Sequence, residues 1–165
     1  MEIKEMSIEE KYDKLLDNHV SSWITNIALY KELGVLDKYH DFTMKLDKKM
    51  IPSFLGPMFK LGKAIAPGRT FKQLVEQMVY SKQICIPLSN NQLSWVSDRE
   101  VVIRVKNCPL LLRSKDFVKK SGLNVNPEEL CDDDIYETKE IAKELGVDIT
   151  CEHTENGCSM TAKLK

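Results

Sequence analysis

Residues 126–165 constrain the fold more than any other stretch, because a helix punctuated at both ends runs directly into two strands. Asn126 is a preferred helix N-cap, and Pro127 suits a first helical position, where its missing N–H costs nothing. Gly146 is the natural stop. Between them Cys131, Ile135, Thr138, Ala142 and Leu145 recur at helical spacing and share one inward face. Asp132, Asp133, Glu140 and Glu144 mark the other face as solvated. The segments "VDITCEH" and "CSMTAKL" then read as two strands joined near Asn156-Gly157. Two cysteines and a histidine, Cys151, His153 and Cys158, crowd this hairpin.

Two pairings of that hairpin remain open. With Asn156-Gly157 as a two-residue type I′ turn, His153 faces Met160 and Cys151 faces Ala162. Cys151, His153 and Cys158 then share the apolar face, but Cys151 lies about 13 Å along the strands from Cys158, too far for a shared ion. With pairing that starts outside the cysteines, "CEHTENGC" is a knuckle loop whose thiolates converge.

Upstream, residues 1–80 read as helical. Ser7 and Glu10 form a capping box, and a helix through Trp23, Ile27 and Tyr30 stops near Gly34. The Phe/Met/Leu-rich stretch 42–66 is expected in short pieces, broken by Pro52, Pro57 and Pro67. A further helix carries Phe71, Leu74, Val75, Met78 and Val79 on one face. Residues 81–107 read as strands, "QICIPL", "QLSWVSD" and "EVVIRVKN", with turns at Asn90-Asn91 and Asp98-Arg99. The expected architecture is a single α+β domain over 1–165: a helical N-terminal region, 1–80, packed on an antiparallel sheet, then a C-terminal helix and hairpin within a ligand-binding-like core, 81–165.

The bulk chemistry excludes several classes. A net charge of −1 argues against nucleic-acid binding by phosphate neutralisation. No run of about 18 apolar residues offers a membrane span, and the charged N-terminus lacks the apolar core of a secretory signal. A cytoplasmic location is expected. Five cysteines, an odd set in a reducing compartment, favour metal binding or buried thiols over disulfides. Cys85, in "ICIPL", reads as core, and His19 and His40 as surface or satisfied core residues. No dinucleotide, P-loop, zincin or nucleophile-elbow motif occurs.

Three features resemble the 4-vinyl reductase domain family over roughly residues 95–165: a strand ending in "NCPL", a helix opening with Cys in "ELCDDDIYETKEIAKEL", and the strand–Cys–loop–Cys–strand "VDITCEHTENGCSMTAKL". The resemblance implies an antiparallel sheet packed by helices and kinship to TRAPP trafficking subunits and haem nitric-oxide-binding domains. It also implies a hydrocarbon-like or aromatic ligand and a structural zinc. Carried over, the zinc ligands are Cys131, Cys151 and Cys158, with an acidic residue that falls on Asp148. Cys108, at the Asn-Cys-Pro position, is an extra cysteine. The fourth ligand therefore stands open between Cys108, His153 and Asp148, and the set Cys108, Cys131, Cys151, Cys158 is the one carried forward. Zinc with four protein ligands is structural and has no open position. Met is an adaptable wall for an apolar pocket, and Phe54, Met58, Phe59, Met78 and Trp95 are the expected ligand contacts. The alternatives are an enzyme of the 4-vinyl reductase or thiol-hydrolase type acting on a heterocyclic substrate, with His153 as base for a cysteine, and a homodimeric interaction module using the apolar N-terminal helices.

Overall fold

The computed structural model describes residues 6–50 and 55–165. Its elements in chain order are α1 (Ile8–Glu32), α2 (Leu36–Met50), α3 (Leu55–Ile65), α4 (Pro67–Lys82), β1 (Asn91–Ser97), β2 (Glu100–Val105), α5 (Pro109–Ser121), α6 (Glu129–Glu144), β3 (Val147–Thr154) and β4 (Gly157–Leu164). The fold is α+β, and the four strands form one antiparallel sheet in the order β1-β2-β4-β3. Helices α5 and α6 carry the chain from β2 to the edge strand β3, and the hairpin returns β4 to the place beside β2.

The capping signals act as their chemistry requires. Ser7 Oγ accepts the Glu10 N–H at 3.1 Å, and Glu10 Oε2 accepts the Ser7 N–H at 2.6 Å. Asn126 and Glu129 make the same reciprocal pair: Oδ1 of Asn126 accepts the Glu128 N–H, and Oε1 of Glu129 accepts the Asn126 N–H, each at 3.1 Å. The intervening turn is tight, so regular α6 starts at Glu129 and Pro127 lies just before it. Gly146, at φ +72°, ends the helix in the left-handed conformation.

Two sequence expectations need correction. "QICIPL" is not a strand: the Cys85 and Ile86 amides both bond back to the Lys82 carbonyl, Pro87 has no N–H to give a ladder, and a short 3-10 turn, Leu88–Asn90, follows. Asn91 is accordingly the first residue of β1 and not part of a hairpin turn. Pro57 also fails to break its helix. It lies in the first turn of α3, where N–H groups have no intrahelical acceptor in any case. Pro52 lies outside the described residues.

Burial falls into three connected clusters. The main core sets Phe71, Val75 and Val79 of α4 against Val101 and Ile103 of β2, Val147 of β3, Ala162 and Leu164 of β4, and Ala142 of α6. Phe71 is wholly buried and meets the Trp95 ring edge-on at 5.9 Å. Phe71→Ala is expected to cost about 3–5 kcal/mol, because the emptied volume is walled by sheet and helix that cannot collapse together; the urea midpoint of the variant checks this. A second cluster packs Val20 and Ile24 of α1 on Leu130 of α6, and the third gathers Val105, Cys108 and Leu111 with Cys131 and Cys158. Arg113 of α5 reaches Asp13 at 2.7 Å and Asp17 at 2.5 Å on α1, so the first helix is fastened to the C-terminal half. Helix α6 is thereby sandwiched, with the sheet on one side and α1 and α2 on the other. No helix of the described residues is long and apolar enough to cross a membrane.

Candidate functional site

Four elements each deliver one cysteine to the region where β2 ends and α6 begins. Cys108 is the N-cap of α5, Cys131 is in the first turn of α6, Cys151 is on β3 and Cys158 opens β4. Local backbone chemistry fixes Cys108. Asn107 is held in the left-handed region at φ 49°, which Asn tolerates better than most residues. The Asn90 side-chain amide donates to the carbonyls of Lys106 and Asn107, each at 3.0 Å. The Cys108 N–H then donates to the Asn156 carbonyl at 2.8 Å, and Lys115 Nζ caps the Glu155 carbonyl. The tip of the C-terminal hairpin is thus locked to the start of α5.

The hairpin register brings its two cysteines within reach of each other. Thr154 pairs with Gly157, His153 with Cys158 and Cys151 with Met160. The turn is Glu155-Asn156, not Asn156-Gly157, and neither residue adopts a positive φ. Relative to the pairing that sets Cys151 against Ala162, the strand has slid by two residues. Two is the period of the pleat, so the inward face is unchanged, but Cys151 and Cys158 become diagonal neighbours on that face, with a Cα separation of about 7–8 Å. In this register Gly157 is a strand residue against β2, where a Cβ would lie 2.0 Å from the Val105 carbonyl oxygen.

The four thiols form two pairs. The Cys131 side chain is close enough to Cys108, and that of Cys158 to Cys151, for the two thiols of each pair to share a proton. In each pair this sharing eases the loss of one proton and opposes the loss of the second. Cys108 and Cys151 are drawn below the ordinary thiol range, while Cys131 and Cys158 are pushed up by the same sharing together with burial. Cys131 and Cys158 also feel each other's charge, which places the two pairs side by side. Cys108, Cys131 and Cys158 line one small cavity of about 60 Å³, walled by Ile103, Val105 and Met160. Among the described residues, no group of three or more His, Cys, Asp and Glu side chains stands ready-made to grip an ion; four-sulfur coordination requires the two pairs to close on one point.

His153 is a fifth potential donor. Its Nε2 is 2.6 Å from Asp132 Oδ1 on α6. Its Nδ1 is buried with no hydrogen-bond partner. Burial alone lowers the imidazole's proton affinity, but the hydrogen bond and charge of Asp132, with Cys151 nearby, hold it above the ordinary value. Asp148 stands elsewhere: it points to the opposite face of β3, is exposed, and pairs with Lys165 at 2.8 Å.

A cleft of about 650 Å³ opens between α4 and α6 over the sheet. Its walls are apolar, with Phe71, Leu74 and Met78 on α4 facing Ile141 and Leu145 on α6, and Ile149 below. Lys82 and Asp134 form an ion pair at one end, and both also border the small cysteine-lined cavity. Of the expected ligand contacts, Met78 alone is in this cleft's lining. Phe59 packs against the main core, Trp95 covers Phe71, and Met58 is 62% exposed on α3 beside exposed Leu61 and Ile65. Phe54 lies outside the described residues. The sequence signal for the cleft is the 3.6-residue stripe on α4, whose Met78 reads as a pocket contact, together with the inward stripe of α6, which reads as core. Cys85 is half-buried and not part of the thiol group.

One correction concerns α6. Asp133, expected in solvent, is 4% exposed. It accepts the Trp23 indole N–H at 3.0 Å and has His40 Nε2 2.8 Å away, so His40 is a partnered residue.

No family model, curated protein or solved structure matches this chain.

Proposed function

We propose that the protein is a zinc-stabilised domain that binds a small apolar or aromatic molecule in the cleft between α4 and α6. The observation that carries this reading is the convergence of Cys108, Cys131, Cys151 and Cys158 from four separate elements as two adjacent thiol pairs. Zinc takes thiolates in a closed tetrahedral set. Buried thiols that each oppose losing the second proton are stabilised as thiolates only when a cation neutralises them. The donor set therefore fits the metal. His153 would support it, since an imidazole held by a carboxylate through one nitrogen, here beside Cys151, is common around bound metals. A cleft of several hundred Å³ with apolar walls and a few polar groups at one end suits a small organic ligand.

Native mass spectrometry of protein purified from its own source tests both halves of the reading. One zinc per chain and a retained neutral or aromatic molecule are expected; a metal-free chain would overturn the first half and an empty one the second. Leu74→Trp is expected to fill the cleft. Binding of a hydrophobic naphthalene dye should then weaken about tenfold or more while zinc content stays unchanged, because Leu74 is on α4 and away from every cysteine.

A thiol hydrolase is the second reading, favoured by one arrangement. Asp132, His153 and Cys151 follow one another as carboxylate, imidazole and thiol, and each of the latter two shifts the other toward its charged form. Alkylation separates the readings. Iodoacetamide modifying Cys151 rapidly at neutral pH in the protein as purified supports the enzyme; protection that ends on chelation supports the metal.

A further inference from the structure

A second cavity, of about 310 Å³, lies on the far side of α6 from the sheet, where α1 and α2 cover that helix. Ile27 and Leu36 supply apolar wall, and Tyr136 stands at its side, 43% exposed. The remaining lining is acidic, with Glu129, Asp132 and Asp133 set against His40 as the one basic group. Glu129 is answered by Lys31 at 2.5 Å and Asp132 by His153 at 2.6 Å. Asp133 is the deepest of the three, with its side chain 2% exposed. Its Oδ2 takes the Trp23 N–H, but its buried Oδ1 has no hydrogen bond: His40 Nε2 is 2.8 Å away yet is not aligned to donate. A buried carboxylate oxygen without a hydrogen bond is uncommon in a folded protein and calls for a physical account. The aromatic surroundings add to it. The His40 ring stacks on Tyr136 at 5.9 Å and 29°, and Tyr39 abuts His40 from the other side.

We infer that this cavity is a binding site for a small organic cation, an ammonium group carried on an apolar or aromatic body. Lys31 and His153 answer Glu129 and Asp132, so the charge left to a ligand is that of Asp133, whose buried Oδ1 lines the cavity and disfavours an anion there. The ammonium has what Asp133 Oδ1 lacks, an N–H free to aim, and hydrogen bonds between ionised partners are the stronger kind. A tyrosine face accepts either a cation or a ring. Ile27 and Leu36 shelter the body of the ligand from water. A single N–H donor suits the site better than a metal ion, because Glu129 and Asp132 are held by Lys31 and His153 and one carboxylate oxygen is left to bind. This site is distinct from the cleft between α4 and α6, since α6 separates the two, and it shares only Asp132 with the His153 pair beside the cysteines.

Three isosteric probes test the inference on the native chain. Titration of isotope-labelled protein with benzylammonium chloride, benzyl alcohol and sodium benzoate, at one ionic strength, is followed at the Tyr136 and His40 ring resonances. Benzylammonium should saturate and move those rings, benzyl alcohol should bind about tenfold or more weakly, and benzoate should bind weakest. Asp133→Asn keeps an acceptor for Trp23 but removes the charge, and should abolish the preference for the ammonium. If that variant does not fold, Tyr136→Ala, at a half-exposed position, should still weaken benzylammonium about tenfold. Equal affinity for the three probes, tighter binding of benzoate, or shifts confined to Leu74 and Ile141 in the other cleft would overturn the assignment.

Discussion

Stripping the proposed zinc from the protein with a chelator, or replacing Cys131 by Ser, is expected to lower the melting temperature by about 8–16 °C. The size follows from linkage. A ligand that binds only the folded state at about a thousand times its dissociation constant contributes about 4 kcal/mol. A domain of this length shifts by about 2–4 °C per kcal/mol. Cys131 is the position to test because α6 opens on it and it lies beside Cys108 at the head of α5. With Cys151 and Cys158 it would connect α5, α6 and both strands of the hairpin through one ion, so losing it loosens four elements together. Cys85→Ser is the matched control. Cys85 lies in the irregular segment after α4, outside the thiol group, and the variant should keep its zinc and melt within about 2 °C of the native protein. Metal analysis by emission spectroscopy decides the matter, and equal zinc in the two variants would sink the metal centre.

Much of this arrangement is legible in the residues, and the rest is hidden for definable reasons. The Ser7–Glu10 capping box, the stop at Gly146, the stripe Phe71–Val75–Val79 and the pair of C-terminal strands are local signals, each decided within about one helical turn or one pleat. The hairpin register is not local. Sliding β3 on β4 by two residues keeps every inward residue inward, so alternation cannot distinguish the two pairings. In the observed pairing Gly157 is a strand residue against β2, where Val105 pairs with Cys158, a contact between residues more than fifty positions apart. Asp133 is hidden in a different way. A helix with one neighbour has a solvated face, and the run Asp132-Asp133-Asp134 fits one. Helix α6 has neighbours on both sides, and the position of α1 and α2 behind it, with Trp23 and His40 reaching Asp133, is tertiary information. The "QICIPL" segment misleads because a short apolar run is compatible with a strand or a turn, and Pro87 decides against the ladder.

Gly157→Ala is expected to destabilise the fold by about 3 kcal/mol or more and to weaken metal binding in the same variant. The added Cβ would be 2.0 Å from the Val105 carbonyl oxygen and 2.9 Å from its carbonyl carbon, well inside contact distance. Neither partner can yield cheaply. Val105 is buried at the end of β2, paired to Asn91 on one side and Cys158 on the other. The turn beside Gly157 is tied to α5 through the Asn156 carbonyl and the Cys108 N–H. Relief therefore means parting β4 from β2 at Cys158, or freeing the turn from Cys108, and either movement separates thiols that the metal needs together. Gly56→Ala is the control. Gly56 is in the first turn of α3, has no heavy atom within 4 Å of an added Cβ and has no positive φ, so the substitution should be neutral or stabilising by about 0.4–1 kcal/mol. Urea midpoints measured with and without a zinc chelator separate the two effects. The steric cost persists without metal, so Gly157→Ala should remain less stable than Gly56→Ala in both conditions, with the wider gap when zinc is present. Equal midpoints for the two variants would show that β2 and the hairpin do not meet at Gly157, and the convergence of the four cysteines would fall with that contact.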